Sequence, residues 1–138
     1  MTTANRDQAE HWNNDDEVGH WIRYQDRYDA MLGPFADVLL DAAGLQTSER
    51  VLDVGCGCGA TTIAAARSVN RGTARGIDLS APMLDRARTD AEAAGLDNAF
   101  FDEGDAQVHP FGEARFDAVI SRFGMMVFRP TVSPCEGW

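Results

Sequence analysis

The stretch from Val51 to Ala60 limits the possible folds of this chain more than any other, since it reads Val-Leu-Asp-Val-Gly-Cys-Gly-Cys-Gly-Ala. Strand-forming residues end in three glycines at alternate positions, and a helix-forming run from Thr61 to Arg67 follows at once. Glycines let the backbone approach a ligand closely, and the first N–H groups of a helix have no partner within that helix. A strand that turns through glycines into a helix therefore predicts a nucleotide-type ligand site.

The size and the net charge of the chain limit the kinds of protein that it can be. Its 138 residues suffice for one domain, and 44% of them are hydrophobic, which is enough for a core. The 12 basic residues are all Arg and face 22 acidic residues, so the formal net charge is -10 and the surface repels nucleic acid. No apolar run reaches the ~18 residues of a membrane span, and the N-terminus lacks the apolar core of a signal peptide. We therefore expect a cytoplasmic protein with no nucleic-acid partner and no membrane span.

The cysteines Cys56, Cys58 and Cys135 do not form a recognisable metal site. Cys-x-Cys inside a glycine loop lacks the spacing of a four-ligand zinc site, and no Cys/His pair lies nearby in the sequence. We interpret Cys56 and Cys58 as small side chains of a crowded turn in a reduced protein, and we expect no metal.

Strands alternate with helices along the rest of the chain. Helical spacing predicts N-terminal helices from Trp21 to Leu32 and from Pro34 to Ala43, with a break at Gly33-Pro34. The other predicted elements are, in order, strand 50–54, helix 61–69, strand 73–79, a helix capped by Ser80 that runs to Gly95, strand 98–103 and strand 116–121. Strands that alternate with helices pair in parallel through right-handed crossovers. The predicted fold class is α/β, a Rossmann-like doubly wound parallel sheet, incomplete with about four strands, with N-terminal helices.

An acidic residue stands at the end of each of the first three predicted strands: Asp53, Asp78 and Asp105. In doubly wound sheets the ligand binds beyond the carboxyl ends of the strands. Asp78 is positioned to accept both hydrogen bonds of a ribose diol, a requirement that NAD shares with any adenosine ligand. Each carboxylate alone also fits a cap or a turn, but three at neighbouring strand ends favour a ligand site.

The glycine pattern alone does not choose between adenosine cofactors. Gly55, Gly57 and Ala60 satisfy the G-x-G-x-x-A pattern of NAD-binding proteins. Asp53 favours a different ligand, because its carboxylate repels a pyrophosphate but attracts an ammonium and a sulfonium. S-adenosylmethionine carries both of these groups.

The chain resembles class I S-adenosylmethionine-dependent methyltransferases, and most closely the small-molecule enzymes of the ubiquinone- and menaquinone-biosynthesis type. The resemblance rests on segments 51–59, 76–80 with Met83-Leu84, 104–106 and 116–121. It implies transfer of a methyl group from S-adenosylmethionine to a small organic acceptor.

The resemblance also implies a role for each matching position in the glycine loop and the second strand. Asp53 and the backbone of Gly55 and Gly57 would hold the methionine moiety, and Gly59 belongs to the same binding loop. Asp78 would hold the ribose hydroxyls.

Further matching positions would surround the adenine and the methyl group. Leu79 and Met83 would pack near the adenine, and Asp105 would accept a hydrogen bond from its amino group. The N–H of Ala106 would meet a ring nitrogen, and Ser121 would lie beside the methyl group.

No catalytic residue is identified by the sequence, because the sulfonium itself carries the reactivity. His109 is the nearest candidate for a general base, although a loop histidine next to a proline also fits the surface. In similar enzymes N-terminal helices cover the site, so Trp12, Trp21 or Gln25 is a candidate to close over the cofactor, with core packing as the alternative for the tryptophans.

The resemblance fades near Phe128, whereas members of the family continue with a helix and further strands. We therefore expect a polar arm at residues 1–18, an S-adenosylmethionine-binding methyltransferase domain at 19–128 that is incomplete at its C-terminus, and an irregular tail at 129–138. An unpaired fourth strand then predicts a homo-oligomer through its exposed edge. Two alternatives stay open: a non-catalytic S-adenosylmethionine- or adenosine-binding or interaction module, and an NAD-binding dehydrogenase fragment.

Overall fold

A computed structural model of the protein describes Glu10, Asn13, Gly19 and residues 22–105, 116–121 and 126–128. The elements are helix α1 (Gln25–Ala43), strand β1 (Arg50–Val54), helix α2 (Ala60–Ser68), strand β2 (Thr73–Asp78), helix α3 (Ala81–Ala93), strand β3 (Ala99–Glu103), strand β4 (Ala118–Ser121) and strand β5 (Met126–Phe128). Within these ranges, no helix combines the length and the apolar character needed to cross a membrane.

The strands form one sheet in the order β3-β2-β1-β4-β5. Strand β1 is parallel to both β2 and β4, and β2 is parallel to β3. The chain moves outward from β1 to β3 and then returns to the other side of β1, which places the switch in strand order between β1 and β4. A ligand site is expected at this switch, beyond the carboxyl ends of the strands. The predicted α/β fold with four parallel strands is confirmed.

The expectation of an unpaired β4 is wrong. Strand β5 lies antiparallel to β4, and Ile120 is paired with Val127 and Ser121 with Met126. The backbone groups of β4 are therefore used on both sides, by β1 and by β5. An apolar Met-Val-Phe segment can supply the missing ladder hydrogen bonds from within the same chain, so the predicted association through the β4 edge loses its basis.

The predicted break at Gly33-Pro34 is also wrong, because α1 runs through it. A proline usually prevents helical geometry in the residue before it by a clash with that residue's Cβ, which Gly33 lacks. Leu39 and Ala43, later in the same helix, are 1% and 2% exposed in a cluster with Val51, and this burial anchors the C-terminal part of α1 on the sheet. Gly44 ends α1 in the left-handed region at φ 58°.

The core lies on both faces of the sheet. Val51 packs on one face with Leu39 and Ala65, and its neighbour Leu52 packs on the other with Ile77 and Val119. Both Val51 and Leu52 are 0% exposed, which explains why the first strand reads as a continuous apolar run rather than an alternating one.

Candidate functional site

The glycine loop, residues 55–59, joins β1 to α2 and is held against the end of β2. The N–H groups of Gly55 and Cys56 both donate to the carbonyl oxygen of Ile77, at 2.9 and 3.2 Å. Gly57 and Gly59 adopt φ angles of 56° and 87°, a region that side chains with a Cβ rarely enter. The glycine spacing seen in the sequence thus follows from the backbone path of this loop.

Gly59 also allows the loop to pack closely on its neighbours. A Cβ at this position would lie 2.8 Å from the Cβ of Ala87 in α3 and 2.9 Å from Cε1 of Phe101 in β3. These contacts are too short for any side chain, so a glycine is required here for the loop to pack on α3 and β3.

Asp53 lies at the carboxyl end of β1 and is 1% exposed. Its Oδ2 accepts a 2.7 Å hydrogen bond from Oγ1 of Thr62 in α2. Gly76, its partner in β2, leaves room for this arrangement, since a Cβ there would lie 2.9 Å from Thr62 Oγ1 and 2.7 Å from Cys56 Sγ. The carboxylate is therefore enclosed by protein next to the loop, and Thr62 is a residue that sequence reasoning missed. The sequence feature that could have identified Thr62 is a hydroxyl side chain in the first helical turn after the glycines.

Asp78 joins the tip of β2 to the glycine loop. Its Oδ2 accepts a 2.8 Å hydrogen bond from the N–H of Gly57, and its Oδ1 accepts one of 3.0 Å from the N–H of Ser80. Burial raises the pKa of this carboxyl, and hydrogen bonds from the N–H groups of Gly57, Ser80 and Leu79 partly oppose the shift. A carboxylate has about four acceptor positions, so these bonds orient both oxygens and leave capacity for further donors.

Asp105 reaches the same edge of the sheet from β3. It is 4% exposed, and the N–H of the preceding Gly104 donates to the carbonyl oxygen of Asp78 at 2.9 Å. Leu79 is half-buried and Met83 is 7% exposed, so apolar side chains flank the same turn. The structure thus places Asp53, Asp78 and Asp105 at or just beyond the carboxyl ends of three neighbouring strands.

The cysteines of the loop are packed rather than reactive. Burial raises the pKa of the Cys56 thiol well above its ordinary value, and the negative charges of Asp53 and Asp78 add to the shift. Cys58 is 4% exposed and packs with Met83 and Ile22. In the described ranges, no group of three or more His, Cys, Asp or Glu side chains is arranged to hold a metal ion.

The remaining predicted positions divide into three groups. Ser121 is half-buried at the carboxyl end of β4, beside the switch in strand order. Gln25 begins α1, but its side chain lies outside the described part of the structure. Four predicted residues lie entirely outside it: Trp12, Trp21, Ala106 and His109.

Asn13 contacts the site although no sequence pattern predicted it. Its Nδ2 donates to the carbonyl oxygen of Leu79 at 2.7 Å, and its Oδ1 accepts a 3.0 Å bond from the N–H of Ala81. These partners are 66 and 68 residues away, so neither periodicity nor spacing could have identified them.

Comparison with known proteins identifies the family of the part of the chain that carries the motifs. Residues 51–134 match a family model described as a methyltransferase domain. Aklanonic acid methyltransferase DauC of Streptomyces sp. strain C5 is 37% identical over 98 residues, which is 70% of this chain and 44% of that protein. The chain spans 34% to 44% of the length of the first curated relatives that it matches.

Solved structures of other proteins are also similar to this chain in their three-dimensional fold. An RNA methyltransferase of Salinibacter ruber in complex with S-adenosyl-L-homocysteine has a TM-score of 0.57 and 28% identity, over 64% of this chain and 56% of that one. A putative S-adenosyl-L-methionine-dependent methyltransferase of Methanococcus maripaludis has a TM-score of 0.65 over 78% of this chain and 49% of that one. Its identity of 22% supports a shared fold alone.

Proposed function

The chain belongs to the methyltransferase domain family, and from this premise we propose that it binds S-adenosylmethionine and transfers its methyl group to a small organic acceptor. The observation that carries the proposal is the carboxylate of Asp78, held at the tip of β2 by the N–H groups of Gly57 and Ser80. An oriented carboxylate at this place, beside a glycine loop, is suited to the diol of a ribose.

The adenosine half of the cofactor fits the residues around Asp78. The N–H groups of Gly57 and Ser80 orient the carboxylate, which keeps acceptor capacity toward the ribose diol. Leu79 and Met83 supply apolar surface for the adenine, and Asp105 supplies an acceptor for its amino group. The N–H of Ala106 stays a prediction for the adenine ring nitrogen.

The charged half of the cofactor fits the other side of the loop. Asp53 places a carboxylate beside Gly55 and Gly57, where an ammonium and a sulfonium are attracted and a pyrophosphate is repelled. This charge favours S-adenosylmethionine over NAD. Gly59 keeps the loop close to α3 and β3, and through this packing it maintains the position of the backbone that meets the methionine moiety.

The bound cofactor supplies an electrophilic methyl group. The role of this chain is to align donor and acceptor, which is the main protein contribution to such a displacement. Ser121, at the end of β4, is proposed to border the methyl group from the acceptor side. His109 stays a candidate base for acceptors that must lose a proton.

The proposal for the acceptor is based on the net charge of the chain and on one relative. The net charge of -10 opposes binding of an RNA, although the Salinibacter ruber relative is an RNA methyltransferase. The name of DauC states an action on aklanonic acid, a small organic molecule, and it is 37% identical to this chain. We therefore propose a small-molecule acceptor, and we retain the cytoplasm as the expected compartment.

Calorimetry with S-adenosylmethionine, S-adenosylhomocysteine and NAD tests the proposal. We expect the first two to bind and NAD not to bind, and we expect Asp78→Ala to weaken binding about tenfold or more through loss of charge-assisted bonds. Asp85→Ala removes a carboxylate that is 79% exposed on α3, and it is the matched control with unchanged affinity. Binding of NAD alone would favour the dehydrogenase alternative. Binding of both sulfur compounds without methyl transfer to phenols, quinols or amines would favour the non-catalytic module.

A further inference from the structure

The turn between β2 and α3 is held by a side chain from the N-terminal segment, which is the part of the chain before α1. The carboxamide of Asn13 contacts this turn at two points, with Nδ2 donating to Leu79 and Oδ1 accepting from Ala81, at 2.7 and 3.0 Å. A carboxamide can make both bonds at once because it carries a donor and an acceptor on one planar group. The two contacts enclose Ser80, the residue between them in the chain.

The contact with Ala81 completes the hydrogen bonding at the start of α3. The first N–H groups of a helix have no partner within the helix. Here Met83 donates to the Ser80 side chain at 3.4 Å, Leu84 donates to the Ser80 carbonyl at 3.1 Å, and Pro82 has no N–H. The N–H of Ala81 is the remaining donor, and Asn13 accepts from it.

Ser80 connects this arrangement to the proposed cofactor site. Its N–H donates to Oδ1 of Asp78 at 3.0 Å, and its side chain is 0% exposed. That N–H lies in the same peptide plane as the Leu79 carbonyl, and the Ala81 N–H lies in the next peptide plane along the chain. Asn13 is bonded to both of these groups, so it constrains the peptide that orients the Asp78 carboxylate.

A second contact brings the N-terminal segment to the same place. Ile22 packs with Cys58 of the glycine loop and with Met83 of α3. Its carbonyl oxygen accepts a hydrogen bond from Nη1 of Arg86 at 3.5 Å. Two residues of the segment therefore touch the turn and the loop that Asp78 joins.

We propose that Asn13 is a positioning residue for the adenosine end of the cofactor, acting through Ser80 on the carboxylate of Asp78. The inference rests on the proposed function, since it requires that Asp78 binds the ribose. Binding energies that are coupled in this way are reciprocal: if the Asn13 contacts strengthen ligand binding, the ligand strengthens the Asn13 contacts by the same factor. Couplings of this kind commonly change affinity by at least about fivefold.

The test compares the 138-residue wild type with Asn13→Ala, Asn13→Asp and the control Asn70→Ala. Asn70 is exposed in the turn that precedes β2, so its replacement changes the same side chain at the opposite end of that strand. Calorimetry measures the Kd of S-adenosylhomocysteine and of adenosine, and thermal unfolding without ligand reports the fold. Trypsin cleavage after Arg23, which is exposed near the Ile22 contact, measures the reciprocal effect.

We expect Asn13→Ala to raise the Kd of both ligands by the same factor of about five to ten. Before ligand is added, the variant should still unfold in one cooperative transition, at a somewhat lower temperature than the wild type because two hydrogen bonds are lost. Asn13→Asp keeps an acceptor for Ala81 but not the donor to Leu79, so it should retain part of the affinity. S-adenosylhomocysteine should slow cleavage after Arg23 in the wild type and in Asn70→Ala, but not in Asn13→Ala.

Two results overturn the inference and differ from each other. Equal affinities in the wild type and Asn13→Ala, with S-adenosylhomocysteine bound by both, would remove the role of Asn13 and leave the proposed function intact. Failure of the wild type to bind S-adenosylhomocysteine at all would remove the proposed function and this inference with it.

Discussion

Thr62 in α2 donates a 2.7 Å hydrogen bond to the carboxylate of Asp53 at the end of β1, and both side chains are almost completely buried, at 0% and 1% exposure. A buried charge is costly unless hydrogen bonds compensate for its lost hydration. The helix that follows the glycine loop therefore stabilises the acidic residue that precedes it, and the two ends of the loop are linked by side chains as well as by the backbone.

Replacement of Thr62 by Val keeps the shape of the side chain and removes this donor. Hydrogen bonds to charged groups contribute about 1.5–3 kcal/mol, so we expect Thr62→Val to lower the free energy of unfolding by about that amount. Thr61→Val is the matched control, because Oγ1 of Thr61 is buried without a hydrogen-bond partner in the described structure. It should be neutral or stabilising. Urea titration measures both variants, and an equal loss in the two would contradict the role assigned to Thr62.

Gly76 should not tolerate a side chain, since its Cβ would meet Cys56 Sγ at 2.7 Å and Thr62 Oγ1 at 2.9 Å. Overpacking of a buried site costs about 1–3 kcal/mol, and we expect Gly76→Ala to lose that much stability in urea. Gly19→Ala serves as the control: Gly19 is helical, and no atom of the described residues is recorded within 4 Å of its would-be Cβ. A Gly76→Ala protein as stable as Gly19→Ala would show that the crowding at β2 relaxes without cost.

Asp78 should make stability depend on pH in a defined direction. Burial raises its pKa above the ordinary 3.8, so the folded protein holds this proton more tightly than the unfolded chain does. Its contribution to stability is thus fully present below pH 3.8 and is lost as the pH rises through the raised folded pKa. Asp78→Asn cannot ionise, so the Tm of the wild type minus that of Asp78→Asn should fall across this window.

Affinity for S-adenosylhomocysteine should change in the opposite sense over the same pH range. The ionised carboxylate of Asp78 offers more acceptor positions than the protonated acid. The wild type should therefore bind more tightly as the pH rises through the raised pKa. Parallel Tm curves for wild type and Asp78→Asn would argue against a raised pKa at this position.

Asn98 closes the end of α2 with a single side chain. Its Nδ2 lies within hydrogen-bond distance of three carbonyl oxygens, those of Ala66, Val69 and Gly72, at 3.0, 3.0 and 3.3 Å. Loss of partners for such carbonyls costs about 1–3 kcal/mol, so Asn98→Ala should lose that much stability. Asn98→Asp should lose more, because its carboxylate faces oxygens. Thermal unfolding compares the Tm of both Asn98 variants with that of the exposed-residue control Asn70→Ala. Both Asn98 variants having the Tm of the wild type would disprove the prediction.

Local sequence was sufficient to predict the part of the fold around the glycine loop. Strand β1 has the predicted bounds of 50–54, and α3 begins after the predicted cap Ser80, whose side chain accepts from Met83. These features depend on residues close together in the chain, such as glycines with positive φ and a hydroxyl next to a proline. The candidate carboxylates Asp53, Asp78 and Asp105 could be placed for the same reason, since parallel strands bring their ends to one edge.

Contacts between residues that are far apart in the sequence decided the other features of the fold and the site. The C-terminal part of α1 is anchored by the burial of Leu39 and Ala43 against Val51, and whether β4 is an edge depended on its ladder with β5. In the same way, the sequence by itself determined that Asp78 ends a strand beside a glycine loop. The bond from the Ser80 N–H to its carboxylate is also local, since the two residues are two positions apart. Only the tertiary structure decided that Gly57 orients the same carboxylate and that Asn13 holds the turn after β2, because these hydrogen bonds form only after the chain has brought together residues that are 21 to 68 positions apart.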